Sequence, residues 1–201
     1  MKDTDSRTRN SDSPVKNSDD RKVSILTVAA EMFAARGYSG TGVDEIGEAV
    51  GISGPALYRH FANKQAILDE ICVAGIRALL NEARQIIEAG LTPKKTLERL
   101  VEMRVEFAYG PYRHAFEIYR AGDTKLSDKA FREQMTMEDL YRAEWVRVLT
   151  QIRPSASTPE LQVSWLAAHH LIGYTAASVY SRDEEEHKRH LKKMAMAVLL
   201  A

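Results

Sequence analysis

The spacing of apolar residues predicts helices along nearly the whole chain. From residue 22 to about residue 36 apolar side chains recur every three or four positions, which is the period of one face of an α-helix. The same period returns at 43–50, from about 54, from 64 to near 90, and at 92–108, 111–121, 127–152, 158–181 and 184–200. No segment shows the alternation that is typical of a β-strand. We therefore predict an all-α fold.

The segment 41–64 predicts two short helices joined by a tight turn. Thr41 is a candidate N-cap for the first short helix, and Gly51 closes it. The second follows Ser53 and has Pro55 in its first turn, where the missing N–H of proline costs nothing. Two short helices behind a longer supporting helix form a helix-turn-helix arrangement, whose second helix enters the major groove of DNA.

The side chains of the second short helix suit a DNA surface. The chain as a whole is neutral, with 28 basic and 28 acidic residues, but the stretch 51–64 has no acidic residue. A neutral total excludes a polybasic protein and leaves a local basic patch possible. Small residues that permit close approach to DNA come first: Ser53, Gly54, Pro55 and Ala56. Donors for phosphates follow at Tyr58, His60 and Lys64, with the Thr41 hydroxyl nearby. Arg59 suits either a guanine or a phosphate. The other interpretation is an ordinary helix pair with a solvated basic end.

Three motifs, in order and without a gap, resemble the N-terminal domain of the TetR family of transcriptional regulators. They are AxxxFxxxGY, TGVDEIGEAVGIS and LYRHFxxKxxIL, and together they cover about 22–70. The resemblance implies a homodimeric repressor with a three-helix DNA-binding domain at 21–64. It also implies a helical ligand-binding and dimerisation domain at 65–201. The polar residues 1–20 are predicted to form a disordered tail, because they have almost nothing apolar to bury.

The same resemblance implies roles for single residues. Positions matching Thr41, Tyr58, His60 and Lys64 contact phosphates, whereas Ser53, Pro55, Ala56 and Arg59 lie on or near the DNA-facing side. Many members of the family have lysine where this chain has Gly54. We therefore expect weaker nonspecific affinity for DNA.

Aromatic and methionine residues are concentrated at 103–174, where they either fill a core or line an apolar cavity. The resemblance implies a ligand pocket. Our candidates for its lining are Phe107, Tyr112, Phe116, Tyr119, Trp145 and Tyr174, with His169 or His170 as a polar group. The segment 141–154 is similar to a subset of the family that is associated with acyl-CoA and lipid catabolism. An acyl-CoA or related apolar metabolite is therefore the first effector candidate.

The last two helices carry apolar stripes and small residues that suit a homodimer interface within 158–200, although packing inside one chain is the other interpretation.

The sequence has no nucleophile elbow, P-loop, dinucleotide-binding turn or HExxH motif, so we predict a protein that is not an enzyme and has no cofactor or metal. One cysteine, no signal peptide and no long apolar run favour a cytoplasmic protein that does not bind membranes. A helical adaptor for a partner protein, or an activator or co-repressor-dependent regulator, remain the alternatives.

Overall fold

The computed structural model describes residues 14–121, 125–178 and 183–201. Within these residues the chain forms nine α-helices and no strand, which confirms the all-α prediction. The helices are α1 (Pro14–Arg36), α2 (Val43–Ala49), α3 (Gly54–Leu57), α4 (Lys64–Glu88), α5 (Pro93–Tyr109), α6 (Arg113–Ala121), α7 (Asp128–Ile152), α8 (Thr158–Ser178) and α9 (Glu184–Leu200). In this part of the chain no helix is long and apolar enough to cross a bilayer.

The first helix begins earlier than the sequence pattern predicts. Residues 14–20 belong to α1, so the predicted disordered tail is too long, and residues 1–13 lie outside the described part of the structure. Extending an existing helix adds one backbone hydrogen bond per residue without a new nucleation cost, which explains how a polar segment joins it. Arg21 helps to hold α1 in place, because its Nη1 donates to the Val50 carbonyl at the end of α2, at 3.2 Å.

Helices α1 to α3 pack around a small core of their own. The buried side chains of this core include Ile25, Phe33, Ile46, Leu57 and Phe61. Gly37 and Gly51 end α1 and α2 at φ 76° and 72°, a left-handed conformation that favours glycine. The predicted end of the first short helix at Gly51 is therefore confirmed.

Helix α4 belongs to both halves of the molecule. Its N-cap is Asn63, whose Oδ1 accepts a hydrogen bond from the N–H of Ala66 at 2.8 Å. Its first turns place Ile67 and Leu68 in the N-terminal core, and its later turns place Leu79 and Ala83 in a larger core formed with α5, α7, α8 and α9. A displacement of α4 would therefore change side-chain packing in both cores.

Candidate DNA-binding surface and effector cavity

The residues from Ser53 to His60 form one continuous surface at the end of the N-terminal domain, which we call the recognition surface. Leu57 is fully buried beneath it and fixes its orientation. Tyr58 is 51% exposed, and Ser53, Pro55 and Arg59 are also exposed. Gly54, Ala56 and His60 are half-buried. Helix α3 ends at Leu57, so Tyr58, Arg59 and His60 lie in the turn that follows it and not within the predicted second short helix. Tyr58 and Arg59 are nevertheless accessible.

The turn beneath this surface depends on the close approach of two backbone segments. The N–H of Ile52 donates to the Gly47 carbonyl at 2.9 Å. A Cβ added to Gly47 would lie 2.9 Å from the Ile52 carbonyl oxygen, closer than real Cβ atoms come. Glycine at this position therefore sets the distance between α2 and the recognition surface.

Lys64 lies beside the recognition surface, but its ammonium group already donates hydrogen bonds within the chain. Its Nζ donates to the carbonyls of Tyr38 at 2.7 Å and Thr41 at 2.8 Å, and it lies 4.3 Å from the centre of the Tyr38 ring. These contacts tie the turn between α1 and α2 to the start of α4. The predicted phosphate donor is therefore first of all a residue that positions this turn.

Two expectations for Thr41 are wrong. The N-cap of α2 is Gly42, whose N–H donates to the Glu45 carboxylate at 2.7 Å. Thr41 is only 1% exposed, and its hydroxyl donates to the carbonyls of Gly37 at 3.0 Å and Met32 at 3.3 Å. A buried hydroxyl needs such partners, and the turn between α1 and α2 supplies them before any DNA is present. The Thr41 side chain is therefore not placed to contact a phosphate.

The space beside Gly54 is filled by a carboxylate. A Cβ built on Gly54 would overlap Oδ1 of Asp44, an exposed residue in the first turn of α2. Where many members of the family are expected to present a cation, this chain therefore has an adjacent acidic group. Such an arrangement opposes a phosphate at this point.

A separate cavity of about 290 Å³ lies among α4, α5, α6, α7 and α8. Its apolar walls are formed by Ile76, Leu79, Ala108, Trp165 and Leu166. Three of the predicted ligand-binding residues line it, namely His169, His170 and Tyr174. Apolar walls with a few polar groups are typical of small-molecule sites.

The other predicted lining residues lie elsewhere or outside the described side chains. Phe107 and Tyr112 stack on each other with ring centres 5.3 Å apart and do not line the cavity. Trp145 is fully buried behind it, because α7 turns this indole into the core, where its ring centre lies 4.7 Å from that of His169. The side chains of Phe116 and Tyr119 lie outside the described part of the structure.

His169 lies at the centre of an aromatic cluster on one side of the cavity. Its Nδ1 lies 2.9 Å from the Trp165 carbonyl, which can only accept, so Nδ1 carries the proton. Its Nε2 then accepts from the Tyr141 hydroxyl at 3.2 Å. Burial, and secondly the charge of Arg104, hold the pKa of His169 well below its usual value. The ring is therefore neutral near neutral pH, and both nitrogens are engaged.

Sequence reasoning missed the charged residues of the cavity. Arg104, Arg113, Glu117 and Glu138 all line it. Arg104 is only 5% exposed, and burial lowers the pKa of its guanidinium. A signal for it was present in the sequence, since Arg104 follows Leu97 and Leu100 by seven and four residues and therefore continues an apolar helix face.

Helix α6 connects the cavity with the DNA-binding domain. Arg113 and Glu117 lie on the cavity wall, whereas Ala115 and Ile118 on the other face are buried in the N-terminal core. Gly75 of α4 permits this close packing, because a Cβ at that position would lie 3.2 Å from the Cβ of Ala115. One short helix therefore touches both an internal ligand-sized cavity and the support of the recognition surface.

A short helix and turn exposed on a three-helix core, followed by a helical domain with a cavity, is the arrangement of a helix-turn-helix regulator. The comparisons agree with this class. Residues 25–71 match the family model described as bacterial regulatory proteins, tetR family. The repressor KstR2 of Mycobacterium tuberculosis is 32% identical over 146 residues, which cover 71% of this chain and 72% of that protein. The chain belongs to the TetR family of transcriptional regulators and is not an enzyme.

KstR2 of Rhodococcus jostii is 33% identical over 130 residues, which are 64% of this chain and 63% of that relative. Among solved structures, KstR2 of Mycobacterium tuberculosis has a TM-score of 0.73 at 24% identity and covers 89% of this chain and 93% of its own. The regulator FadR from Bacillus subtilis, solved in complex with stearoyl-CoA, has a TM-score of 0.68 at 13% identity and covers 88% and 98%. These likenesses show a shared fold.

Proposed function

We propose that this protein is a dimeric transcriptional repressor that binds a palindromic operator and is released from it by a small apolar or acyl-type effector. The recognition surface is the observation that carries this proposal. It presents Tyr58 and Arg59 to the solvent on a rigid scaffold of buried side chains. Repressor activity follows the relatives named KstR2, which are repressors.

Within the recognition surface, we assign different roles to its side chains. Tyr58 donates to a phosphate, and Arg59 either reads a base edge or holds a phosphate. Ser53, Gly54, Pro55 and Ala56 permit close approach, and His60 lies at the border of the surface. Lys64 acts mainly by holding the turn between α1 and α2, since two of its three donors are already used.

Effector response would pass through α6. A ligand in the cavity contacts the wall that holds Arg113 and Glu117, and a shift of α6 moves Ala115 and Ile118 within the N-terminal core. Such a ligand changes DNA affinity only if it binds the DNA-free arrangement more tightly. An acyl-CoA is one candidate, supported by the FadR likeness. The cavity of about 290 Å³ would hold an acyl group, and the nucleotide part would lie outside it.

Dimerisation would use α8 and α9. Exposed apolar side chains on these helices that do not line the cavity include Val163, Met194 and Leu200. A second copy of the chain would cover this face and place two recognition surfaces about one helical turn of DNA apart, ~34 Å. A cytoplasmic location goes with this function and stays a prediction.

The test is DNA binding by the purified full chain, measured by fluorescence anisotropy on DNA selected from a random pool and on unrelated DNA across a salt series. Tyr58→Phe removes one phosphate hydrogen bond, so we expect affinity to fall about threefold to tenfold on every sequence. Arg59→Ala is expected to reduce the preference for the selected DNA if this side chain reads a base.

Tyr112→Phe is the matched control, because Tyr112 lies next to α6 and far along the chain from the recognition surface. An equal loss of affinity in Tyr112→Phe would remove Tyr58 from the interface. Absence of salt-dependent DNA binding by the wild-type protein would contradict the proposed function and favour the adaptor alternative.

A further inference from the structure

The cavity is apolar over most of its wall, but the side chains that reach it are not equivalent as hydrogen-bond donors. The N–H at His169 Nδ1 donates a hydrogen bond to the Trp165 carbonyl, and the Tyr141 hydroxyl donates one to His169 Nε2. Neither side chain therefore has a further N–H or O–H for a ligand. A guanidinium has five N–H donors, so Arg104 is the main buried donor group of the cavity.

The fold makes room for this guanidinium on α8. Gly173 lines the cavity opposite α5, and a Cβ added there would lie 3.1 Å from Nη2 of Arg104. Trp165 supplies a second donor on the same wall. Its indole N–H is buried, and no hydrogen-bond partner for it is found among the residues that the structure describes. Buried donor groups next to apolar walls favour a ligand that carries acceptor oxygens.

The two carboxylates of the cavity have partners of their own. Glu138 accepts a hydrogen bond from Gln134 at 3.0 Å, and burial raises its pKa, which favours the uncharged acid. Glu117 accepts from His114 Nδ1 at 2.7 Å, since Nε2 of that ring accepts from Arg113. Both are more exposed than Arg104. Arg104 is therefore the most deeply buried of the charged side chains that line the cavity.

We infer that the cavity binds a small apolar carboxylic acid as its anion, with the carboxylate on the Arg104 guanidinium and the hydrocarbon part against Ile76, Leu79 and Ala108. The inference rests on the proposed function, because it identifies the effector class for the same cavity. The cavity volume of about 290 Å³ lies at the lower end of the range for small-molecule sites. A small free acid therefore suits the cavity better than a whole acyl-CoA, whose nucleotide part would lie outside it.

The test compares acids with uncharged amides of the same shape. The probes are octanoate and 3-phenylpropanoate, their amides, and octanoyl-CoA. Binding is followed at neutral pH by tryptophan fluorescence and calorimetry, without DNA. The chain has two tryptophans, and both are placed to report, since Trp165 lines the cavity and Trp145 packs on His169. We expect at least one acid to bind at least about tenfold more tightly than its amide, because a buried charged pair strengthens the hydrogen bonds.

Arg104→Met should remove this preference and leave amide binding nearly unchanged. Arg99→Met is the matched control, because Arg99 is an exposed arginine on the same helix and is not among the residues that line the cavity. Gly173→Ala is a second variant, and alanine is itself a good helix former. The added Cβ should displace the Arg104 guanidinium and weaken binding of the acid more than binding of the amide. Circular dichroism and thermal melting establish that each variant is folded. If Arg104→Met does not fold, the ratio of acid affinity to amide affinity, measured for the wild type and for Gly173→Ala, still tests the inference.

Equal binding of acid and amide, or no binding of either acid, would overturn the inference. Loss of the preference in Arg99→Met as well as in Arg104→Met would overturn the assignment to Arg104. DNA release is measured separately by anisotropy. Acid binding that leaves DNA affinity unchanged would contradict the proposed effector response but not the carboxylate site. Release by octanoyl-CoA without any acid binding would overturn the carboxylate site and leave the proposed function standing.

Discussion

At the scale of single residues, His169 links the chemistry of the cavity to the stability of the fold. Its pKa in the folded protein lies well below the ordinary value of 6.5 because the ring is buried and lies near Arg104. The unfolded chain therefore binds this proton more readily. Stability is fully present above about pH 6.5 and falls as the pH drops below it, by at most about 1.4 kcal/mol per pH unit for one group.

Replacing His169 by Asn should make the free energy of unfolding less dependent on pH below about pH 6.5. Urea unfolding over a series of pH values measures this free energy. His190→Asn is the control, because His190 is exposed and bonds only to its own helix at Glu186. If His169→Asn keeps the full loss of stability below about pH 6.5, the assignment of this titration to His169 is wrong.

The same scale shows where sequence reasoning succeeds and where it fails. Tyr58 and Arg59 are exposed as expected, because the apolar Leu57 and Phe61 are the side chains of this segment that are buried in the core. Thr41 was misplaced because its partners, Met32 and Gly37, belong to the preceding helix and the turn after it. Side-chain partners of this kind depend on tertiary packing.

At the scale of helices, Gly47 decides how closely α2 approaches the recognition surface. Gly47→Ala would bring a Cβ to 2.9 Å from the Ile52 carbonyl oxygen, and backbone cannot yield as a flexible side chain does. We expect a loss of about 1–3 kcal/mol in unfolding free energy, reduced by the better helix propensity of alanine. Chemical denaturation and DNA anisotropy measure the two effects.

Glu48→Ala, at the exposed neighbouring position, is the control for Gly47→Ala and should change stability little. Unchanged stability and unchanged DNA affinity in Gly47→Ala would mean that the turn can relax, and would contradict the importance of this close contact.

The contact between α4 and α6 offers a test of effector response that leaves both sites intact. Gly75→Ala places a Cβ 3.2 Å from the Cβ of Ala115, so the two helices must separate by a few tenths of an ångström. Helix propensity offsets the crowding, and we expect unfolding free energy to change by less than about 1 kcal/mol. DNA affinity should nevertheless fall, since α6 also packs in the N-terminal core.

The measurement for Gly75→Ala is anisotropy on selected DNA, with and without the effector, next to Asn81→Ala as an exposed change on the same helix. A Gly75→Ala protein with wild-type DNA affinity and wild-type effector response would show that the spacing of α4 and α6 does not transmit the signal.

At the scale of the whole molecule, the succession of helices is the most predictable feature and the cavity is the least. Helix bounds follow from local spacing and from glycines, as at Gly37, and they differ from prediction by only a few residues after α1. The cavity depends on the space that five helices leave between them. Local pattern places Trp145 and Trp165 on buried faces alike, but only the packing of the helices puts Trp165 on the cavity wall.

The exposed apolar face of α8 and α9 leads to the prediction about assembly. Val163 is 65% exposed and Met194 is 42% exposed, and leaving such a face in water would be costly. Val163→Glu combined with Met194→Glu should therefore convert the dimer to a monomer and weaken palindrome binding much more than half-site binding. Light scattering after size-exclusion chromatography measures the first effect. Leu91→Glu, an exposed apolar position between α4 and α5, is the control. A wild-type monomer, or a double variant that remains dimeric, would contradict this assembly.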